Sequence, residues 1–598
     1  AGFARLPGGA QAVGLRLSNA AAVYGNACVG GVVGSLEGEG AVLAGARNSG
    51  PVQALAGYDA AVSPLAGQFF GGVAGYSAGV TLQGCRNTAA PAQENPPQGD
   101  FTGGLVGFLC GGMANCETGA QAAVYGGRFV GGLAGAVCGG TVADSRSAGA
   151  VCGLDLTGGA VGCTAADAVL ENCAATGSVT ALAGSAGGLA GRNEGTIRGG
   201  TPGGAPLTVC AQSGCAGGFA ACNTGTVENA ALSLDTLRLT GAAGVAGGVA
   251  GCNAGAVRGV TVTAQDPWDL TGLTAASLTA VGGAVGENAG TLEETSVSLS
   301  VSGGGALGRI RSLGGLAGGN TGTVCGTVEA FAAQDAAGAS GPGDAAGGAV
   351  GRDAGAGQGC RGSNLALQLA GCAEGGQAAG GVGGLVGCNT AEGLVRECVI
   401  GGEQPCTVQA NAGAVGGLCG FNAGRIEGCG SAAPLAKLPQ FAAWLQEGEA
   451  GADAMTEALA RQELDLPCGS DPLATAATPA TAAVANELTA ALYGSGCVGG
   501  LTGCNAATGT VTGCASGAWL VYSADGSAPA GGCVGENAGG TLHGLLNCAA
   551  VRAGAAGTAG GIAGSQADGA LCENCVNLAP AAAPQGGSLG GVIGVWQG

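Results

Sequence analysis

The residues of this chain that could do chemistry are its cysteines, 28 of them against a single histidine, His543. Four pairs stand ten residues apart: Cys163 with Cys173, Cys388 with Cys398, Cys419 with Cys429, and Cys504 with Cys514. If the strands on either side of an intervening corner turn these side chains inward, each pair can close a disulfide within one turn of chain. The alternative is core filler, because free cysteine behaves as a small buried hydrophobe. Cys85, Cys116 and Cys360 have no such partner and fit the second reading. Cys572-x-x-Cys575 has the spacing of half a metal site, but no second closely spaced pair or histidine completes it, so no metal is expected.

Other catalytic sets are equally thin. One histidine leaves almost nothing for a zinc protease motif or a serine triad, and His543 reads as a strand or surface residue. No glycine stretch continues as Gly-Lys-Ser/Thr, so no nucleotide or other cofactor is expected. The 39 acidic residues fall singly or in corners, as Glu293 and Glu294 do, and no aspartate recurs as calcium-binding repeats require.

The elements that must position these residues are written in glycine. The chain has 598 residues with 132 glycines, 46% hydrophobic and 10% charged residues, and only 3% aromatics. Disorder needs the opposite balance of hydrophobicity and charge, and glycine every third residue, the mark of collagen, is absent. A net charge of −20 repels phosphate backbones, which argues against a nucleic-acid partner. No uninterrupted apolar run of about 18 residues offers a membrane span.

Self-similarity explains the composition. The unit is Gly-Gly-x-x-Gly, usually followed by x-Asn-x-Gly-Thr-Val, as in Gly187-Gly188-Leu189-Ala190-Gly191-Arg192-Asn193-Glu194-Gly195-Thr196-Ile197 and again from Gly314 to Val324. It recurs at intervals of about thirty residues, a length that cannot bury its apolar face alone and must stack. The fold expected is all-β: a parallel β-solenoid of about seventeen coils, each of about three short strands, spaced about 4.8 Å apart. Corners are expected at Asn193, Asn223, Asn253, Asn288, Asn320, Asn389, Asn422, Asn505 and Asn537, since asparagine tolerates the left-handed backbone of sharp bends.

This repeat resembles the glycine-rich GLUG repeats of bacterial surface proteins, with the best matches at Gly187, Gly247, Gly282, Gly314, Gly383 and Gly416. Departures include Ala221 in place of the third glycine and Asp353 in place of the corner asparagine. The resemblance implies a secreted or cell-surface, non-catalytic structural or adhesive role, with a protein or glycan ligand or self-association as its business. Two alternatives stay open: a β-helix polysaccharide-active enzyme, or the repeat stalk of a larger surface peptidase.

One interval is long. Residues 1–430 and 498–598 read as solenoid, and 431–497 as a small helical insertion. Leu435, Leu438, Phe441 and Leu445 recur at helical spacing, as do Val484, Leu488 and Leu492. Phe441, Trp444 and Tyr493 give this segment the aromatics of a partner-binding site. A final unit ending in Val595-Trp596 also suggests a chain that continues beyond Gly598 to a cap or envelope anchor.

Overall fold

The computed structural model describes residues 3–597 apart from 7, 10, 13–16, 55–67, 90–98, 203–206, 276–277, 303–306, 308, 335–344, 370–379, 402–405, 411–412, 432–489, 518–519, 524–526, 555, 580 and 584–586. It is an all-β parallel solenoid with 62% strand and about 15 turns. This is fewer than the roughly seventeen coils expected from the glycine pairs; the last pair, Gly590–Gly591, is followed by a single strand, Ile593–Trp596. The chain forms two compact units, one made of Ala1–Gln265, Asp269–Ala276 and Ala284–Thr295, the other of Asp266–Trp268, Ser277–Gly283 and Ser296–Gly598.

A coil of the first unit shows how the repeat builds. Cys215–Gly217, Ala220–Asn223, Thr226–Glu228, Ala231–Ser233 and Leu237–Thr240 are its strands, more than the three expected. Four of these strands pair in parallel with their equivalents one repeat on, so Ala220 lies beside Ala250 and Asn223 beside Asn253, and Leu237–Thr240 pairs with Leu207–Ala211 one repeat back. The residue after the glycine pair points into the core, where Leu189, Phe219 and Val249 are fully buried in one column. Burying each such side chain stabilises the stack by about 1.5–3 kcal/mol.

The glycine pair is a steric requirement. A Cβ on Gly217 would run into the Ala220 carbonyl oxygen of its own bend, and one on Gly218 into the Gly248 carbonyl of the next coil. The same two collisions recur at Gly383 with Val386 and at Gly384 with Gly417 in the second unit. Only glycine lets successive backbones approach this closely.

Bends do fall in the x-Asn-x-Gly segments, as at 194–195 between Ala190–Asn193 and Thr196–Arg198, but the asparagines themselves are not left-handed and have a further task. They close strands with their side chains buried, and their amides hydrogen-bond up the stack. In the first unit Asn193 Nδ2 donates to Asn223 Oδ1, Asn223 to Asn253 and Asn253 to Asn288, each at 2.7 Å. In the second unit Asn389 donates to Asn422 at 2.8 Å, Asn422 to Asn505 at 2.8 Å and Asn505 to Asn537 at 3.0 Å. The left-handed bend falls elsewhere, at Asn172, Gly199, Asn229 and Gly259, with φ between 50° and 61°. An amide that both donates and accepts satisfies itself in an endless column, whereas a bend residue needs only a tolerant backbone.

Asp353 interrupts the second ladder. Its Oδ1 takes the acceptor place, receiving Asn320 Nδ2 at 2.8 Å and the Gly355 N–H at 3.1 Å. Oδ2 therefore falls where every other rung has a donating NH2. It is buried without a hydrogen-bond partner among the described residues, and so is Asn389 Oδ1 on the rung in register beside it. Burial pushes the Asp353 carboxyl up to about 6.

The helical insertion is corrected where the structure describes it. Gly430–Ser431 and Ala490–Gly494 are solenoid strands, and the helical residues among those described are confined to 3-10 turns, at Leu234–Thr236 and at Leu307 and Arg309. Leu492 pairs with Val408 and Tyr493 with Gln409, so Leu492 is buried by strand alternation and not as one face of a helix. The rest of the segment, including Phe441, Trp444, Val484 and Leu488, lies outside the described residues.

Candidate functional sites

Stacking in register converts single residues into columns, and three columns carry functional chemistry. The first is aromatic. Phe69, Phe101 and Phe129 occupy the same place on successive strands, and Tyr76 and Phe108 the same place on the next side. Their rings interlock: Phe69 to Phe108 at 5.1 Å, Phe101 to Phe108 edge-on at 5.4 Å, and Phe101 to Phe129 stacked at 5.0 Å. The Arg128 guanidinium lies 5.4 Å from the Phe129 ring centre. All five rings are half-buried, so together they present a ridged apolar surface with a cation at one end.

Tyr493, expected as a partner-binding residue, stands in a smaller version in the second unit. It is 36% exposed, packs on Tyr522 at 5.4 Å, and Arg552 lies 5.9 Å over the Tyr522 ring. The structure brings Tyr493 together with solenoid residues. Its expected companions Phe441 and Trp444 are outside the described residues.

The second column is made of thiols. Cys173, Cys398, Cys429 and Cys514, the later members of the ten-spaced pairs, all occupy the buried place after a corner. Their neighbours are up and down the stack: the Cys398 N–H donates to Cys429 Sγ at 3.4 Å, and the Cys429 N–H to Cys514 Sγ at 3.3 Å. Burial pushes Cys429 well up and Cys173 up to about 12, which leaves these sulfurs protonated and inert. The earlier members stand in other rows. Cys163, Cys388 and Cys504 are half-buried one place before the ladder, whereas Cys419 is buried in register with Val386. Among the described residues one disulfide is present, Cys110–Cys138, and it joins successive coils, not any ten-spaced pair. The reason is distance along the chain against distance in space: a neighbour thirty residues away is one strand spacing off, while a residue ten away is on another side of the coil.

Charges make the third column, and they pair on the surface. Arg198 meets Glu228 at 2.8 Å and Arg258 meets Glu293 at 3.0 Å, each across adjacent coils. His543 Nδ1 lies 3.1 Å from Glu573 Oε1 in the same manner. Exposed pairs of this kind contribute under about 1 kcal/mol each. Cys572 and Cys575 are neighbours whose thiols influence one another. No group of three or more His, Cys, Asp or Glu side chains suited to a metal ion is found among the described residues, and no helix among them is long and apolar enough to cross a membrane.

These features define a parallel β-solenoid repeat protein with aromatic and thiol columns on its sides. No family model, curated protein or solved structure matches the chain.

Proposed function

We propose that this protein is a non-catalytic structural or adhesive element of a secreted or cell-surface bacterial protein, holding a glycan or protein partner on its aromatic columns. The observation that carries the reading is the five-ring cluster of Phe69, Tyr76, Phe101, Phe108 and Phe129 with Arg128 at its edge. In a chain with only 3% aromatics, five rings gathered on one surface are out of proportion to what a core of Val, Leu and Ala requires. Half-buried aromatics beside an arginine are the side chains that anchor protein and sugar partners. The resemblance of the repeat to GLUG sequences supports the cell-surface setting.

The whole chain should be applied to glycan and protein arrays, with the retained glycans analysed afterwards. Saturable retention on a ligand that is recovered intact is the expected result. Release of shortened glycan products would establish the polysaccharide-active alternative, and absence of retention on both arrays would remove the adhesive reading.

A further inference from the structure

Three cysteines of the first unit form a cluster of another kind from the buried column. Cys222 and Cys252 are in register on adjacent strands, Ala220–Asn223 and Ala250–Asn253. Cys215 approaches them from the strand on the previous side of the coil, and its thiol feels both as neighbouring side chains. Backbone packing fixes this approach, since the Cys215 Cβ lies 2.7 Å from where a Cβ on Gly251 would be. All three residues are half-buried, so a small reagent in solution can reach them.

The column is chemically ordered. Arg192 pairs with Cys222 on one side, Cys252 lies on the other, and Glu287 stands beyond Cys252. Cys222 is favoured as a thiolate by the neighbouring Cys215 thiol, the Ser185 hydroxyl and the Arg192 guanidinium, with Asp155 as the opposing charge. These favourable neighbours hold the Cys222 thiol down at about 7, against a burial effect that acts in the other direction. A thiolate stabilised beside a second, protonated thiol is the arrangement of a nucleophilic cysteine with its resolving partner.

We propose that Cys215, Cys222 and Cys252 are a thiol–disulfide exchange site for low-molecular-weight disulfides. The Cys222 thiolate attacks one sulfur of the reagent disulfide and expels the other half as a thiolate. Cys215 then gives its proton to solvent and attacks Cys222 Sγ, expelling the second half. The two protein thiols are oxidised to one disulfide, and the reagent is reduced to two thiols. Cys252 can next give its proton to solvent and attack Cys215 Sγ, releasing Cys222 as a thiolate, which moves the bond from within one coil to between two coils with no net redox change. The second bond staples neighbouring strands, so the site couples the oxidation state of its surroundings to the cohesion of the stack.

The test uses the intact chain. Timed alkylation with iodoacetamide at pH 7, read by peptide mass spectrometry, is expected to modify Cys222 about tenfold or more faster than Cys163. Cys163 is the internal control: it lies on the other side of Arg192 in the same row, with its thiol pushed up to about 11. Oxidised glutathione should then yield a Cys215–Cys222 bond inside one tryptic peptide, or a Cys215–Cys252 bond joining two, because Arg238 separates them. Cys215→Ala should instead trap glutathione on Cys222. Equal alkylation of Cys222 and Cys163, or three thiols that remain alkylatable after glutathione disulfide, would overturn the proposal, and both readings are made on the wild-type chain whether or not the variant folds.

Discussion

Gly218→Ala is expected to destabilise the first unit by about 3 kcal/mol or more, a loss at the upper end of what overpacking produces. The added methyl would meet the Gly248 carbonyl oxygen of the next coil, a backbone atom that no rotamer change can withdraw. Moving it means separating the strands, and the hydrogen bond from the Gly218 N–H to that same oxygen, 2.8 Å long, would be given up with it. Gly591→Ala is the matched control. Gly591 holds the same second place in the last glycine pair, and nothing lies within 4 Å of its added Cβ, so this substitution should stay within about 0.5 kcal/mol of wild type. Urea unfolding of the two variants measures the difference. Equal losses would mean that glycine serves the bend alone and not the contact between coils.

Asp353→Asn is expected to stabilise the protein, by an amount that depends on pH. The carboxyl group is held at about 6 in the fold against an ordinary value of 3.8. Its Oδ2 and the Oδ1 of Asn389, the residue in register beside it, are both buried without a hydrogen-bond partner among the described residues. A proton on Oδ2 turns two neighbouring acceptors into a donor and an acceptor. Below about pH 4 folded and unfolded chains both hold that proton and stability is unaffected. As pH rises the unfolded chain releases it first, so stability falls until the folded group has also ionised above about pH 6, a total loss of about 3 kcal/mol. Asparagine supplies the missing donor at every pH. Urea midpoints of wild type and variant should therefore converge near pH 4 and separate at pH 8, with the variant the more stable; a gap of the same size at both pH values, or a less stable variant, would show that Asp353 is not a broken rung.

Much of this architecture was legible in the sequence because the glycine pair and the column of Leu189, Phe219 and Val249 recur with the period of the coil. The bends beside these asparagines are legible, while their buried ladder is not, for a physical reason. Asparagine tolerates a left-handed bend and also carries an amide that can join a ladder, and one coil alone does not distinguish the two. The distinguishing signal was the column Asn172, Gly199, Asn229 and Gly259, where asparagine and glycine interchange as only a positive φ demands, while Asn193, Asn223 and Asn253 admit no glycine. The ten-residue cysteine spacing points along the chain, whereas the thiols that neighbour one another in space are one coil apart, as Cys398 and Cys429 are. Leu488 and Leu492 matched a helical interval, yet a spacing of four is also an even number, and in Ala490–Gly494 strand parity decides which side chains are buried. The aromatic cluster escaped notice because each coil contributes one or two rings, and only the register of Phe69 with Phe101 and Phe129 assembles them.

The measurement that bears most directly on the proposed function is the affinity of the whole chain for the best ligand found on the arrays, compared with the double variant Tyr76→Ser, Phe108→Ser. Both rings are half-buried on the outer side, and their replacement leaves the inward columns of Val73, Leu105 and Leu133 untouched. An unchanged β-sheet circular-dichroism spectrum would establish that the variant is folded. That folded variant should bind about tenfold more weakly or worse, as the loss of two aromatic anchors implies. Full-strength binding by the folded variant would contradict it and place recognition elsewhere on the chain.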